Sequence, residues 1–405
     1  MPSRKTRLEM TAPGGDYLTT AEAAKRLGVK TQTVYAYVSR GMLRRVRVTG
    51  QRTSMFVRAE VDGLARRSRE SSRPAGSIER VASALTLIKD DELYFRGRRA
   101  TDLIASESAE SVASLLWTGE CVADPGFVAS SRGIARARTA SAGLPESAHL
   151  ADGLRVGVIA LGAADPARDD FTPASVIRMA REMIGAVVDA LPGPPGSGGI
   201  ADRLALKLCG RPGAVPVLGS ALMLLADHGL AASTVAARIA ASTGAHPYAT
   251  VSTGLSALDG PHHGSASTSA YRFLGEELGN RSGRQRYRAG RLPVPGFGHR
   301  VYRKRDPRAE ALLRMLPGSR VTETVDRIVA KLGGRQNTFP NVDLALAAIS
   351  HTYSMRQDAG EVVFAIARMV GFVAHAIEEY QEPRMRFRPA GIYAGPAAVG
   401  YANEV

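Results

Sequence analysis

Cysteine is nearly missing: in 405 residues only Cys121 and Cys209 occur, far apart. That argues against a disulfide framework or a cysteine-based metal site and fits a reduced, cytoplasmic setting. No run of about eighteen apolar residues stands out, so no membrane span is expected. The opening stretch "MPSRKTRLEMTAPGGDY" has neither an apolar core nor a cleavage site, and no export signal is read there. Alternating Val/Ile/Thr runs are scarce beyond "ALTLIKDDELYFRG", which argues against a sheet-based fold. His262-His263 has no second cluster of ligand-type side chains to join, so no metal ion is expected.

Acidic residues are also in short supply, and unevenly so. The chain carries 53 Lys+Arg against 38 Asp+Glu, a formal charge of +15. Residues 1–80 hold 17 basic and 7 acidic side chains, a net of +10, whereas the rest of the chain contributes only +5. Two thirds of the excess thus sits in the first fifth, as expected of an attached module with a polyanionic partner.

That module spans residues 17–67. In "LTTAEAAKRLGVKTQTVYAYVSRGML", Thr19 or Thr20 can cap a first helix, with Glu22 placed to suit the helix dipole. Ala24, Gly28 and Val34 have the spacing of two short crossing helices: a small residue at the contact, a glycine at the turn, an apolar residue to close it. Thr31 is expected to cap the second helix, with Lys30, Thr31, Gln32, Thr33, Tyr35 and Arg40 offered to phosphates and base edges. "RRVRVTGQRTSMFVR" follows as two short strands around Thr49-Gly50, a basic wing. The unit resembles the winged helix-turn-helix of the MerR/excisionase type, and that resemblance implies DNA as a partner. One such head binds DNA weakly, so useful affinity needs two on a symmetric dimer.

"RRSRESSRPAGS" reads as a linker, taken as residues 68–77, and a different pattern begins at residue 78. Stretches such as "PASVIRMAREMIGAVVDAL", "GSALMLLADHGLAASTVAARIAAS" and "DLALAAISHTYSM" repeat apolar side chains at three- and four-residue steps. A mainly α body is expected, with "LPGPPGSGG" (191–199) as a loop between helices. Three segments carry chemistry. "PVPGFGHRVYRKRDPRAEAL" sets His299 between glycines and follows it with Arg300, Arg303, Lys304, Arg305 and Arg308. A solvated helix face also accounts for such a run. "LDGPHHGSAS" places His263 in a Gly/Pro/Ser-rich turn, and "NTFPNVDLALA" places Asp343 at the start of a helical run. An acid, two histidines in glycine-lined turns and several arginines suit carbanion chemistry on polycarboxylates.

These three segments, in this order and with these separations, resemble the active-site segments of citrate synthases. "LIKDDELYFRGRRATDLI", "SVASLLWTGE", "LLADHGLAASTVAARIAAST" and "VFAIARMVGFVAHAIEE" extend the likeness over residues 78–405. The resemblance implies a two-domain helical fold, with a small domain of about residues 264–365 inserted in a large one, preceded by the winged helix-turn-helix. It implies a homodimeric acyltransferase of the tricarboxylic acid cycle type that condenses acetyl-CoA, or propionyl-CoA, with oxaloacetate and needs no separate cofactor. Asp343 then matches the general base, His263 the donor to the thioester oxygen, and His299 the histidine that polarises the ketone. His228, Arg308, Arg368 and Arg388 match the carboxylate-binding residues, with Arg388 reaching into the neighbouring subunit's site. Phe364 matches an aromatic residue beside the acyl group, and Arg303 and Lys304 are the candidates for the CoA phosphates.

The chain departs from the family pattern at His262, Ser265, Ser267, Gly229, Ala231 and Ala390, so the pocket walls differ while the base and both histidines survive. Acetyl and propionyl thioesters differ by one methylene, which pockets resolve by only ~1–3 kcal/mol. The alternative reading is a DNA-binding metabolite sensor with weak or no turnover. From the charge imbalance, retention on DNA at low salt is expected to fall steeply as salt rises. It is also expected to vanish when residues 1–73 are deleted, which a mobility-shift series over salt concentration would measure.

Overall fold

The structure, a computed structural model, describes residues 16–39, 42–46, 54–62, 64, 81–122, 126–279, 294–332 and 338–387. Arg40, the wing tip at 47–53, the 68–77 linker, Arg388 and Ala390 lie outside the described residues. The chain divides into two compact units; among the described residues the first runs to Val81 and the second from Ala82.

In the first unit, strand β1 (Tyr17–Thr19) leads into helices α1 (Thr20–Leu27) and α2 (Thr31–Ser39), and strand β2 (Met55–Val57) pairs antiparallel with β1. Thr19 caps α1: its hydroxyl accepts the Glu22 N–H at 3.3 Å while the Glu22 carboxylate accepts the Thr19 N–H at 2.8 Å, a reciprocal capping box. Gly28 ends the helix in the left-handed region. The second helix differs by one position from the sequence expectation, since Thr31 is its first helical residue and not its cap. Ala23, Ala24, Val34, Leu43 and Phe56 form a small core of their own. Lys30, Thr31, Gln32 and Tyr35 are exposed and Thr33 is half-buried. Val46 bridges Met55, so the two arms of the wing do approach each other. The β1–β2 pairing was not anticipated: three-residue strands are too short to show a period.

The second unit opens with a meander, β3 (Thr86–Lys89), β4 (Glu92–Phe95) and β5 (Arg98–Arg99), in which Asp90 and Asp91 form the first turn at φ 53° and 58°. Among the described residues, fourteen α-helices follow. They are α3 (Ala100–Leu103), α4 (Ala109–Thr118), α5 (Ser131–Ser141), α6 (Leu150–Ala164), α7 (Pro173–Ala190), α8 (Ile200–Leu208) and α9 (Val215–Leu225). Then come α10 (Ala232–Ser242), α11 (Pro247–Leu258), α12 (Ala266–Leu278), α13 (Pro307–Arg314), α14 (Arg320–Leu332), α15 (Val342–Thr352) and α16 (Ala359–Glu379). Their starts are chemically marked: Ser108, Ser130, Asp306 and Asn341 each accept a first-turn N–H with the side chain. The stretch 191–199 is the connection between α7 and α8, as expected.

Helix α16 is the axis of the unit. It is long and apolar enough by composition to cross a membrane, yet that whole window is buried inside the protein. A helix apolar on every side must be covered on every side, and α4, α7, α9, α10 and α11 all pack on it. The lone tryptophan, Trp117, is buried beside it and donates its indole N–H to the Val370 carbonyl at 3.0 Å. Gly371 permits the closest approach. A Cβ there would lie 2.4 Å from the Ala226 carbonyl oxygen and 2.6 Å from an Asp227 carboxylate oxygen. Gly371→Ala is therefore expected to destabilise the protein by about 1–3 kcal/mol through overpacking, read as a lower midpoint in thermal or urea unfolding.

Candidate active site

Five stretches of backbone carry the expected residues. His228 follows the end of α9, in a turn where Gly229 sits at φ 61° and donates its N–H to Asp227 at 2.9 Å. His263 occupies the turn between α11 and α12. His299 lies before α13, which carries Arg308, and Asp343 is the second residue of α15. Phe364 and Arg368 are one turn apart on α16.

The His299 and Asp343 segments are stitched to each other. The Asn341 N–H donates to the Gly296 carbonyl at 2.9 Å, the Gly298 N–H to the Phe339 carbonyl at 2.8 Å, and the Asn341 side-chain amide to the Gly298 carbonyl at 2.9 Å. Gly296 is required at this crossing: its φ is 81°, and a Cβ would lie 2.8 Å from the Leu344 side chain. Asp306 makes the second tie. Its buried carboxylate accepts from the Arg308 guanidinium at 2.9 and 3.0 Å and from the Val342 N–H at 3.1 Å.

Around this frame the side chains converge. The His228 and His299 rings are 5.2 Å apart, and His228 Nε2 is 3.1 Å from the Tyr302 hydroxyl. Tyr302 also lies 4.7 Å from the His299 ring and under the Arg308 guanidinium, so it joins three of the residues. His299 Nδ1 accepts the N–H groups of Val301 and Tyr302 at 3.0 and 3.2 Å. A neutral His299 must then carry its proton on Nε2, which lies 3.5 Å from Arg308 Nη2. On the other side His263 stands edge-on to Phe364 at 5.9 Å, and the Arg368 guanidinium covers the same ring at 4.8 Å. His263 Nε2 is bonded to the Ser233 hydroxyl at 2.7 Å. Arg368 donates Nε–H to the Leu225 carbonyl at 3.0 Å.

The electrostatics follow from burial. Burial, helped by Arg368, brings His263 down to about 4, and burial with Arg308 does the same to His299. His228 is held well below the ordinary range by burial and by Arg308 and Arg368. All three imidazoles are neutral at pH 7. Burial also works against the charge of Arg308, but Asp306 outweighs it and holds the guanidinium above its usual range. Arg368 is lowered to about 10 by burial and stays charged. Asp343 is pushed up to about 7 by burial, with Arg308 pulling the other way. Among the described residues, Asp343 Oδ1 and Arg368 Nη1 are buried with no hydrogen-bond partner. Buried polar atoms are seldom left so, and such an exception asks for a chemical reason. The arrangement offers two cations for carboxylates, two imidazole donors and one carboxyl group near its titration midpoint.

Arg303 and Lys304 stand apart from this cluster. Their side chains are exposed, while their backbone N–H groups donate to Asp91 at 2.7 and 2.8 Å. Arg305 is engaged by Glu92 and Glu310. Residues that the sequence reading did not single out are Tyr302, Ser233 and Asp227. The first was hidden within a basic run and the second lies five residues beyond His228 on an Ala-rich helix. Neither spacing carries a local signal. His351 and His375 are packing residues: His351 stacks on Tyr271 at 3.9 Å, and His375 is fully buried against Asp227 and Arg238.

A helical body built on one buried axis and carrying a cluster of histidines and arginines, with a helix-turn-helix earlier in the chain, defines the class. The family profile described as citrate synthase, C-terminal domain, matches residues 76–390, and a helix-turn-helix domain profile matches residues 17–69. The chain belongs to the citrate synthase family. It is 29% identical to citrate synthase 2 of Bacillus subtilis (strain 168), over 80% of this chain and 96% of that protein. It is 28% identical to the 2-methylcitrate synthase of Mycobacterium tuberculosis (strain ATCC 25618 / H37Rv), over 78% and 88%. The crystal structure of citrate synthase from Thermotoga maritima MSB8 matches with a TM-score of 0.63 at 26% identity, over 82% and 98%. Citrate synthase from Thermoplasma acidophilum, solved as a ternary complex with carboxymethyl coenzyme A and oxaloacetate, matches with a TM-score of 0.66 at 23% identity, over 80% and 96%.

Because the Asp343 carboxyl ionises near 7 in the folded chain and at 3.8 ordinarily, the native state keeps a proton that the unfolded chain has lost between those values. Stability from this group is intact below about 4 and falls as pH rises towards 7. Asp343→Asn is therefore expected to raise the melting temperature at pH 8 and to change it little at pH 4, measured by calorimetry at both.

Proposed function

We propose that the protein condenses an acyl-CoA with oxaloacetate, giving citrate from acetyl-CoA or 2-methylcitrate from propionyl-CoA. The observation that carries this reading is Asp343: a half-buried residue whose carboxyl group has one buried, unpartnered oxygen and titrates near neutrality beside a fixed cation. Asp343 takes a proton from the carbon next to the thioester carbonyl. That proton is weakly acidic, so the oxygen of the forming enolate needs a placed donor, and His263 supplies it. Losing one such donor typically costs about 10²–10³ in rate. The enol carbon attacks the ketone carbon of oxaloacetate while His299, with its proton on Nε2, protonates the ketone oxygen. Water then cleaves the acyl-CoA intermediate, releasing the tricarboxylate and CoA and making the sequence effectively irreversible.

His228, Arg308 and Arg368 hold the oxaloacetate carboxylates, guanidinium forks suiting them better than point charges. Arg388 completes that set from a second copy of the chain, so a homodimer is the active form. Phe364 packs beside the acyl group, and Arg303 and Lys304, both exposed, meet the CoA phosphates. Residues of about 264–365 form the lobe that closes on the substrates. The exposed Lys30, Thr31, Gln32 and Tyr35, with Thr33 and Arg40, give the head its face towards DNA.

Supplied with oxaloacetate and either thioester, the protein is expected to release CoA, followed by a thiol reagent, and Asp343→Ala to lower kcat by at least about 10²-fold. No release with acetyl-CoA or propionyl-CoA would overturn this reading in favour of a metabolite-sensing body.

A further inference from the structure

A further buried carboxylate lies on the same helix as the acyl side of the site. Glu361 stands one turn before Phe364 and two before Arg368, on the same face of α16, and is 5% exposed. It joins three elements. One oxygen accepts from the Thr268 hydroxyl in the first turn of α12, which begins directly after the His263 turn. The other is 2.8 Å from Nδ1 of His149, the residue that starts α6. The contact between the starts of α12 and α16 leaves no slack, since a Cβ on Gly360 would lie 2.9 Å from the Ser267 hydroxyl. Glu361 also lines, with Gly264 and Ser265 of the His263 turn and Leu258 at the end of α11, a cavity of about 20 Å³. That is room for roughly one water molecule.

We propose that Glu361 is a positioning residue for the His263 turn and for Phe364, and that half-exposed His149 engages or releases it from the solvent side. The idea rests on the condensation reading above but uses residues outside the reacting set. The groups facing His149 are Glu361 and Asp358 from the start of α16 and Asp152 from its own helix. Arg356 pairs with Asp358, and Arg155 pairs with Asp152 and with Asp259 at the end of α11. The bond to Glu361, opposed by partial burial and helped by the three acids, raises His149 above its ordinary 6.5. The ion pair is therefore present below 6.5 and is lost as pH rises through the raised value. Asp343 activates the reaction as pH rises, so His149 gives the falling limb of the profile.

The test uses full-length protein, with His149→Gln and Glu361→Gln. In wild type, kcat falls at alkaline pH. In both variants that limb disappears and kcat drops by about tenfold to a hundredfold, the scale of a misplaced group, while the KM for oxaloacetate holds. His149→Gln changes a half-exposed side chain and serves if Glu361→Gln does not fold. Without any substrate, ¹⁵N-histidine spectra of the eight imidazoles are expected to show His263 shifting as His149 titrates, and not in Glu361→Gln. A His263 signal that stays fixed through the His149 titration overturns the proposal, as does an alkaline limb retained in both variants. Absence of turnover alone would count against the condensation reading and leave the spectra to decide this one.

Discussion

The Asp306 carboxylate, fully buried, does three things at once. It caps α13, neutralises Arg308 on that helix, and receives the Val342 N–H at the head of α15. Arg308 is 2% exposed and Asp306 0%. Two charges so deep are tolerable only together, and removing one partner of such a pair costs about 3–5 kcal/mol. The pair thereby fixes the distance between the His299 segment and the Asp343 helix. Because Asp306 already satisfies most of Arg308, the guanidinium retains its charge and presents Nη2 beside His299. The geometry of the candidate site depends on this one ion pair being closed.

From it the electrostatic character of the pocket follows. Burial removes the charge from the three imidazoles and leaves it on the two arginines, because a guanidinium is far harder to deprotonate than an imidazolium. The cluster is thus cationic without relying on histidine charge, and its histidines remain available as neutral donors. A comparable arrangement stands behind it: Asp227 accepts from Thr86 and Gly229, faces His375, and through it meets Arg238, which is paired with Glu378 and Glu379. The turn that holds His228 is consequently anchored in a buried polar network reaching from the first strand of the meander to the end of α16.

Much of this was legible in the chain because the relevant signals are local. A threonine three residues before a glutamate announces the cap of α1, a glycine at the end of it announces the turn, and Ala/Leu periodicity announces the helices. His263, His299 and Asp343 stood out because glycine and proline around them are costly inside helices and so mark turns. What escaped notice lacks local signals. Tyr302 sits among five basic side chains and looks like part of a solvated run, yet it is 1% exposed and touches His228, His299 and Arg308. Ser233 is one small polar residue on an Ala-rich helix, and only the fold brings it to His263. Thr31 was misplaced by one position because a threonine is equally at home as a cap or as a first helical residue. Helix α16 passes a hydropathy test for crossing a bilayer, and only its surroundings reveal it as a core element.

The contact between Trp117 and Val370 has a practical side. The chain contains a single indole, and it is hydrogen-bonded to a carbonyl two residues beyond Arg368, within the helix that bears Phe364 and Arg368. Indole emission depends on the polarity and hydrogen bonding around the ring. The protein therefore carries an intrinsic optical gauge of that helix, in native sequence and free of labels or competing chromophores of the same kind.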